Sequence, residues 1–215
     1  SQSPVLSGLS AGNSASTSDA KGGDANARVI YGDAYSNYVA YSSPTISGFT
    51  GSIALAPSQS TTTNIGDDAA TKDTMSYTLA YANGPLAAGV NLTNAAATGG
   101  SKMTTVLASY DFGVAKVGVT HQSIKLNAGG VNPGNAYAVT AAAPLGAGLV
   151  SAGFGKRKAS ASTDVNYGDD VDQQFVGYRY NLSKRTNVSL IWNKIDRTGT
   201  TTDVKETHLV VGHTF

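Results

Sequence analysis

From Ser36 onward, apolar positions alternate with small or polar ones in segments of eight to eleven residues. Met75, Tyr77, Leu79 and Tyr81 fall on one face; Ser76, Thr78 and Ala80 fall on the other. Val106, Ala108 and Tyr110 oppose Thr105 and Ser109, and Val117 and Val119 oppose Lys116, Gly118 and Gln122. Val150, Ala152 and Phe154 oppose Ser151, Gly153 and Gly155, while Val176, Tyr178 and Tyr180 oppose Gly177 and Arg179. Period two is the signature of a β-strand, whose successive side chains point to opposite faces. The pattern predicts eleven strands, at about 36–43, 49–56, 74–83, 86–94, 103–111, 115–124, 136–144, 149–157, 173–181, 186–195 and 205–215.

The connections alternate in length. Short ones are predicted at 43–48, 83–85, 111–114, 144–148 and 181–187, and longer ones at 57–72, 95–101, 125–134, 157–172 and 196–204. Strict alternation implies an up-and-down antiparallel meander, with short turns at one end and long loops at the other. One face is rich in Tyr, Val and Leu, and the other carries Gly, Ser, Thr, Asn, Lys and Arg. A soluble sandwich packs one face of each sheet into a shared core. A barrel with lipid outside and water inside instead needs an apolar exterior and a small polar interior. Strands of about ten residues suit a tilted membrane crossing.

Composition supports this. The chain has 25 Gly, 11 Tyr, one Trp and a single Glu, and its net charge is +1. Low net charge gives no electrostatic footprint for nucleic acid. With no cysteine, disulfides, zinc–thiolate sites and cysteine nucleophiles are excluded. No run of eighteen apolar residues could form a transmembrane helix.

The last segment, KETHLVVGHTF at 205–215, puts Leu209, Val211, His213 and Phe215 on one face. A terminal aromatic on an amphipathic strand fits the girdle where lipid meets water. If both the first and last strands run toward the short-turn side, an odd count is left. Single-chain bacterial barrels usually have an even number of strands, so a preceding set of five is expected.

Three segments resemble the general trimeric porins of Gram-negative outer membranes, of the beta-proteobacterial type: SNYVAYSSPTISGF at 36–49, NLSKRT at 181–186 and the HTF ending at 213–215. The resemblance implies an all-β, sixteen-stranded transmembrane barrel, with strands six to sixteen at 36–215 and the tail of a constriction loop at 1–35. It also implies a homotrimer in the outer membrane that passes small hydrophilic solutes and ions by passive diffusion, with a preference for anions. Expected partners are lipopolysaccharide and membrane lipid, the missing N-terminal barrel segment and the diffusing anions. No cofactor and no catalytic group are needed.

Parity puts Lys116, Gln122, Arg157 and Arg179 on the pore-lining face, with Arg28 added from the constriction segment. Fixed cations in a narrow, weakly screened space favour anions. His213 and Phe215 form the membrane-interface and assembly signature. Asp169, Asp170 and Asp172 cluster in a predicted loop and are oxygen donors of the kind calcium takes; without the spacing of a dedicated calcium loop, a solvated acidic loop is the plainer reading. Two other functions remain open: an outer-membrane barrel enzyme using His121 or His208, and a soluble antiparallel binding protein.

Overall fold

The computed structural model describes residues 38–57, 73–95, 101–126, 134–158, 170–198 and 203–214. Eleven strands follow one another: β1 (Val39–Ser42), β2 (Phe49–Ala56), β3 (Thr74–Asn83), β4 (Leu86–Ala95), β5 (Ser101–Asp111), β6 (Lys116–Leu126), β7 (Gly134–Leu145), β8 (Gly148–Lys158), β9 (Asp170–Asn181), β10 (Thr186–Thr198) and β11 (Val204–His213). They form one sheet in sequence order, each strand antiparallel to the next. All eleven predicted strands are present, and no helix occurs among the described residues.

Short connections all fall at one end of the sheet. The tightest local geometry is at Ser47 and Gly48, with φ of 51° and 86°. Two left-handed residues in succession match the twist of a two-residue hairpin. Ile46 and Phe49 accordingly exchange both backbone hydrogen bonds, at 2.8 and 2.9 Å. At the same end, Thr214 N–H donates to the Arg185 carbonyl at 2.9 Å, tying the end of β11 to the β9–β10 turn.

Several strands run further toward the long-loop end than hydropathy predicts. β9 begins at Asp170 and β10 continues to Thr198. Asp170 and Asp172, predicted to lie in a loop, are therefore strand residues. The reason is that backbone pairing depends on the ladder of N–H and C=O groups, whereas apolar alternation stops where lipid stops. Asp169 and Phe215 lie outside the described residues.

The two faces differ in burial as well as in chemistry. Among the described residues, every buried side chain lies on one face of the sheet, including Ser76, Thr105, Gln122, Arg157 and Asn193. The other face exposes Ile53, Leu79, Val106, Val119, Phe154, Leu190, Leu209 and Val211. So much contiguous apolar surface is incompatible with water as its solvent. Aromatic pairs sit on that face near the short turns: Phe49–Tyr81 at 4.6 Å between ring centres, Tyr110–Phe112 at 4.7 Å and Tyr178–Tyr180 at 6.5 Å. Tyr137 and Phe154, 6.4 Å apart and edge to face, sit nearer the long-loop end. Two aromatic levels flanking an apolar band are the outer surface of a membrane barrel.

The covered face is less uniformly polar than its sequence suggests. Val171 and Ile195 are fully buried there, in a cluster with Ala136 and Val204. Met103 and Ile124 form a second apolar patch on the same face.

Candidate channel wall

A single register row crosses ten of the eleven strands on the covered face. It runs Ser42, Ser52, Thr78, Asn91, Thr105, Gln122, Ala136, Arg157, Val171, Arg197. Its first six members carry hydroxyls and amides. The remaining four alternate a small or branched apolar residue with an arginine. Residues directly opposite on adjacent strands share a face, so pairing alone brings these distant positions into one line.

The uncharged half is tied together by its own side chains. Asn91 Nδ2 donates to Ser76 Oγ at 2.9 Å and to Thr78 Oγ1 at 2.8 Å. Thr93 Oγ1 donates to Asn91 Oδ1 at 3.0 Å. Gln122 Nε2 reaches Thr105 Oγ1 at 3.0 Å and Met103 Sδ at 3.2 Å. These bonds fix rotamers that would otherwise sample several wells, giving a wall of oriented dipoles. On β9–β10, Gln173 Nε2 donates to Asn193 Oδ1 at 3.0 Å, with both residues buried.

Lys116, Arg157 and Arg179 lie on the same face. Lys116 is half-buried at the short-turn end of β6, directly opposite Asp111. Arg179, also near the short turns, is exposed and opposite Ser189. Arg157 lies deeper and is only 1% exposed. Gln122 is equally covered, at 1%. Lys116, Gln122, Arg157 and Arg179 thus share one face but differ in exposure: Lys116 and Arg179 meet solvent, while Arg157 and Gln122 are covered. Arg28 lies outside the described residues.

Sequence reading missed Arg197 because it falls past the last apolar alternation of β10, in a segment predicted as loop. Glu206 and His208 were also unassigned as a pair. They are two residues apart on the covered face of β11, with Nε2 and Oε2 2.8 Å apart. Among the described residues, the strand cations on this face are Lys116, Arg157, Arg179 and Arg197, against the carboxylates Asp111 and Glu206. Among the described residues, strand cations on this face outnumber strand carboxylates.

The other candidates sit elsewhere. Asp172 points to the apolar face, where its Oδ2 pairs with Lys156 Nζ at 2.9 Å. Asp170 is two residues along on the same face. His213 lies on that face too, its Nδ1 2.9 Å from Thr186 Oγ1. His121 is opposite Tyr137 there, while His208 is on the covered face, so the three histidines do not converge.

A sheet whose covered face is a polar, cation-bearing wall and whose exposed face is an aromatic-bounded apolar band has the two surfaces of a membrane channel. The family model for Gram-negative porins matches residues 3–200. The chain belongs to the Gram-negative porin family. Its place is the bacterial outer membrane. Among solved structures, this porin chain is similar to an anion-selective porin from Comamonas acidovorans, at 27% identity and a TM-score of 0.66, over 83% of this chain and 55% of that one. It also matches the outer-membrane channel DcaP of Acinetobacter baumannii, at 12% identity and a TM-score of 0.64, over 83% of this chain and 62% of the other. OmpT of Vibrio cholerae matches at 14% identity and a TM-score of 0.56, over 80% and 62% respectively. The last two likenesses concern fold alone. The chain spans 55–62% of the length of these three proteins. No curated protein sequence matches it significantly.

Proposed function

We propose that the whole protein is a trimeric general porin, a water-filled channel through which small hydrophilic solutes and ions diffuse passively, with a preference for anions. The observation that carries this is the charge balance of the covered face: Lys116, Arg157, Arg179 and Arg197 against Asp111 and Glu206, of which Glu206 is already engaged by His208. A unit negative charge 4 Å from a fixed cation is stabilised by about 1 kcal/mol in bulk water and about 4 kcal/mol at an effective dielectric of 20. A narrow protein-walled passage lies between these limits, so even buried arginines bias the barrier for anions. The similar porin from Comamonas acidovorans is anion-selective, which agrees in sign.

In this reading a closed sixteen-stranded barrel forms in the whole protein, since an open sheet edge is not tolerated in lipid. Residues 1–35 contribute to the constriction, with Arg28 as one of its cations. Lipopolysaccharide and other membrane lipid bathe the apolar face. No step of passive diffusion requires a cofactor or an enzymatic group.

The test is planar-bilayer recording of the full-length protein under a salt gradient. Ohmic conductance with an anion-selective reversal potential is expected. A cation-selective potential would overturn the charge argument, and a non-conducting trimer would overturn the channel.

A further inference from the structure

Among the described residues, the strands place every Phe, Tyr and Trp on the apolar face except Phe175 of β9, which lies on the covered one. Its register row reads Thr140, Gly153, Phe175, Asn193, Glu206. The ring lies over Gly153: a β-carbon there would be 2.5 Å from Phe175 Cε1 and 2.9 Å from Cζ. With no side chain beneath it, the ring settles against the β8 backbone as part of the wall. It is half-buried, so one side of it stays open to the lumen.

The next row toward the short turns reads Ser151, Gly177, Ile191, His208, and the one after it Leu149, Arg179, Ser189, Val210. Gly177 again contributes no side chain, and Ile191 Cγ1 lies 3.3 Å from where its β-carbon would be. Arg179 is exposed and makes no ion pair among the described residues. Across β8–β11 these two rows hold no carboxylate; Glu206, in the Phe175 row but two strands away, is 2.8 Å from His208. One strip of β9 therefore carries a ring, a gap and a guanidinium in that order. Phe175 and Arg179 are four residues apart, about 13 Å along the strand. The arginine side chain spans part of that distance, and a single aromatic acid spans the rest. An apolar shelf ending in a cation is complementary to a flat apolar body ending in an anion.

We propose that this strip is a binding site on the diffusion path for aromatic monocarboxylates, with benzoate as the simplest case. The ring of the solute stacks, offset, on Phe175. Its carboxylate accepts charge-assisted hydrogen bonds from the Arg179 guanidinium, whose fork matches a carboxylate in shape. Gly177 leaves the wall between them clear, so the solute lies flat. Acetate and chloride can use only the guanidinium, so the site ranks aromatic acids above them. The inference rests on the porin reading, which makes the covered face a wetted wall, and deepens it by naming a class of solute.

The full-length protein is recorded in planar bilayers, and chloride current is followed while sodium benzoate or sodium acetate is titrated in. Benzoate is expected to lower the current saturably, with a half-effect concentration about two- to tenfold below that of acetate, the contribution of one aromatic pair. Phe175→Leu keeps the apolar bulk and loses the ring, and should bring the benzoate value up to that of acetate. Arg179→Gln should raise the benzoate value at least about tenfold, as expected for a lost hydrogen bond to a charged group. Tyr137→Leu, which removes an aromatic from the apolar face, should change neither. Equal half-effect concentrations for the two acids would overturn the proposal, as would an unaltered benzoate value in Phe175→Leu. Absence of any chloride current would overturn the channel reading and this inference with it, whereas chloride current with no preference for benzoate would overturn this inference alone.

Discussion

Arg157 on β8 and Arg197 on β10 flank the same residue, Val171 on β9, which is the register partner of both. Two strand spacings separate their backbones, roughly 9.5 Å, and the residue between them is fully buried. Two guanidinium groups therefore share one level of the channel wall, although forty positions separate them in sequence. Arg157→Gln and Arg197→Gln should each lower the anion-over-cation permeability ratio, and the double variant should lower it most. An effect near 1 kcal/mol per charge corresponds to about fivefold. Reversal potentials across a salt gradient give the ratio directly; an unchanged ratio in the double variant would show that these arginines do not set the field.

The assignment of faces makes a sharper contrast. Leu79 and Thr78 are neighbours on β3, the first on the exposed apolar face and the second on the row of the channel wall. Arginine in place of Leu79 should destabilise the folded barrel by about 2–4 kcal/mol, the value for a charge near mid-bilayer. Arginine in place of Thr78 should be tolerated and change ion selectivity instead. Unfolding titrations in lipid vesicles separate the two, and equal destabilisation would mean the faces are misassigned.

Gly153 supplies a test of packing. A β-carbon there would lie 2.5 Å from Phe175 Cε1 and 2.8 Å from the Val139 carbonyl oxygen. Both approaches are far inside van der Waals contact, and the carbonyl belongs to the β7 backbone, which cannot swing aside. Gly153→Ala is expected to lower stability by about 1–3 kcal/mol through overpacking. Adding Phe175→Ala should relieve only part of this, because the carbonyl contact stays. Thermal loss of the heat-modifiable, compact form on denaturing gels reads the effect; an unaltered transition would mean the strands shift freely.

The Gln173–Asn193 bond is buried on the wall, and Asn193 Nδ2 has no hydrogen-bond partner among the described residues. Asn193→Ala should cost about 1–3 kcal/mol, because it strands the Gln173 donor in a covered site. Changing both residues to alanine should cost less than the sum of the single changes. Strict additivity in the unfolding free energies would show that the two side chains are not coupled.

Much of this molecule was legible in its sequence. Alternation at Met75–Tyr81 or Val150–Phe154 identifies a strand and its faces, because period two is a property of the local backbone. The ordering of short and long connections gives the antiparallel meander, since a tight turn permits only an adjacent antiparallel neighbour. What the sequence could not supply was strand extent beyond the lipid boundary, hence the misplacement of Asp170 and Asp172 in a loop and the omission of Arg197. Past the apolar band, pairing continues on backbone hydrogen bonds while side-chain hydropathy carries no signal. Only the tertiary structure could set register, which depends on residues far apart in the chain meeting across strands. Register placed Arg157 and Arg197 around one valine, set Lys205 against Lys194, and buried Val171 and Ile195 on a face that composition alone describes as polar.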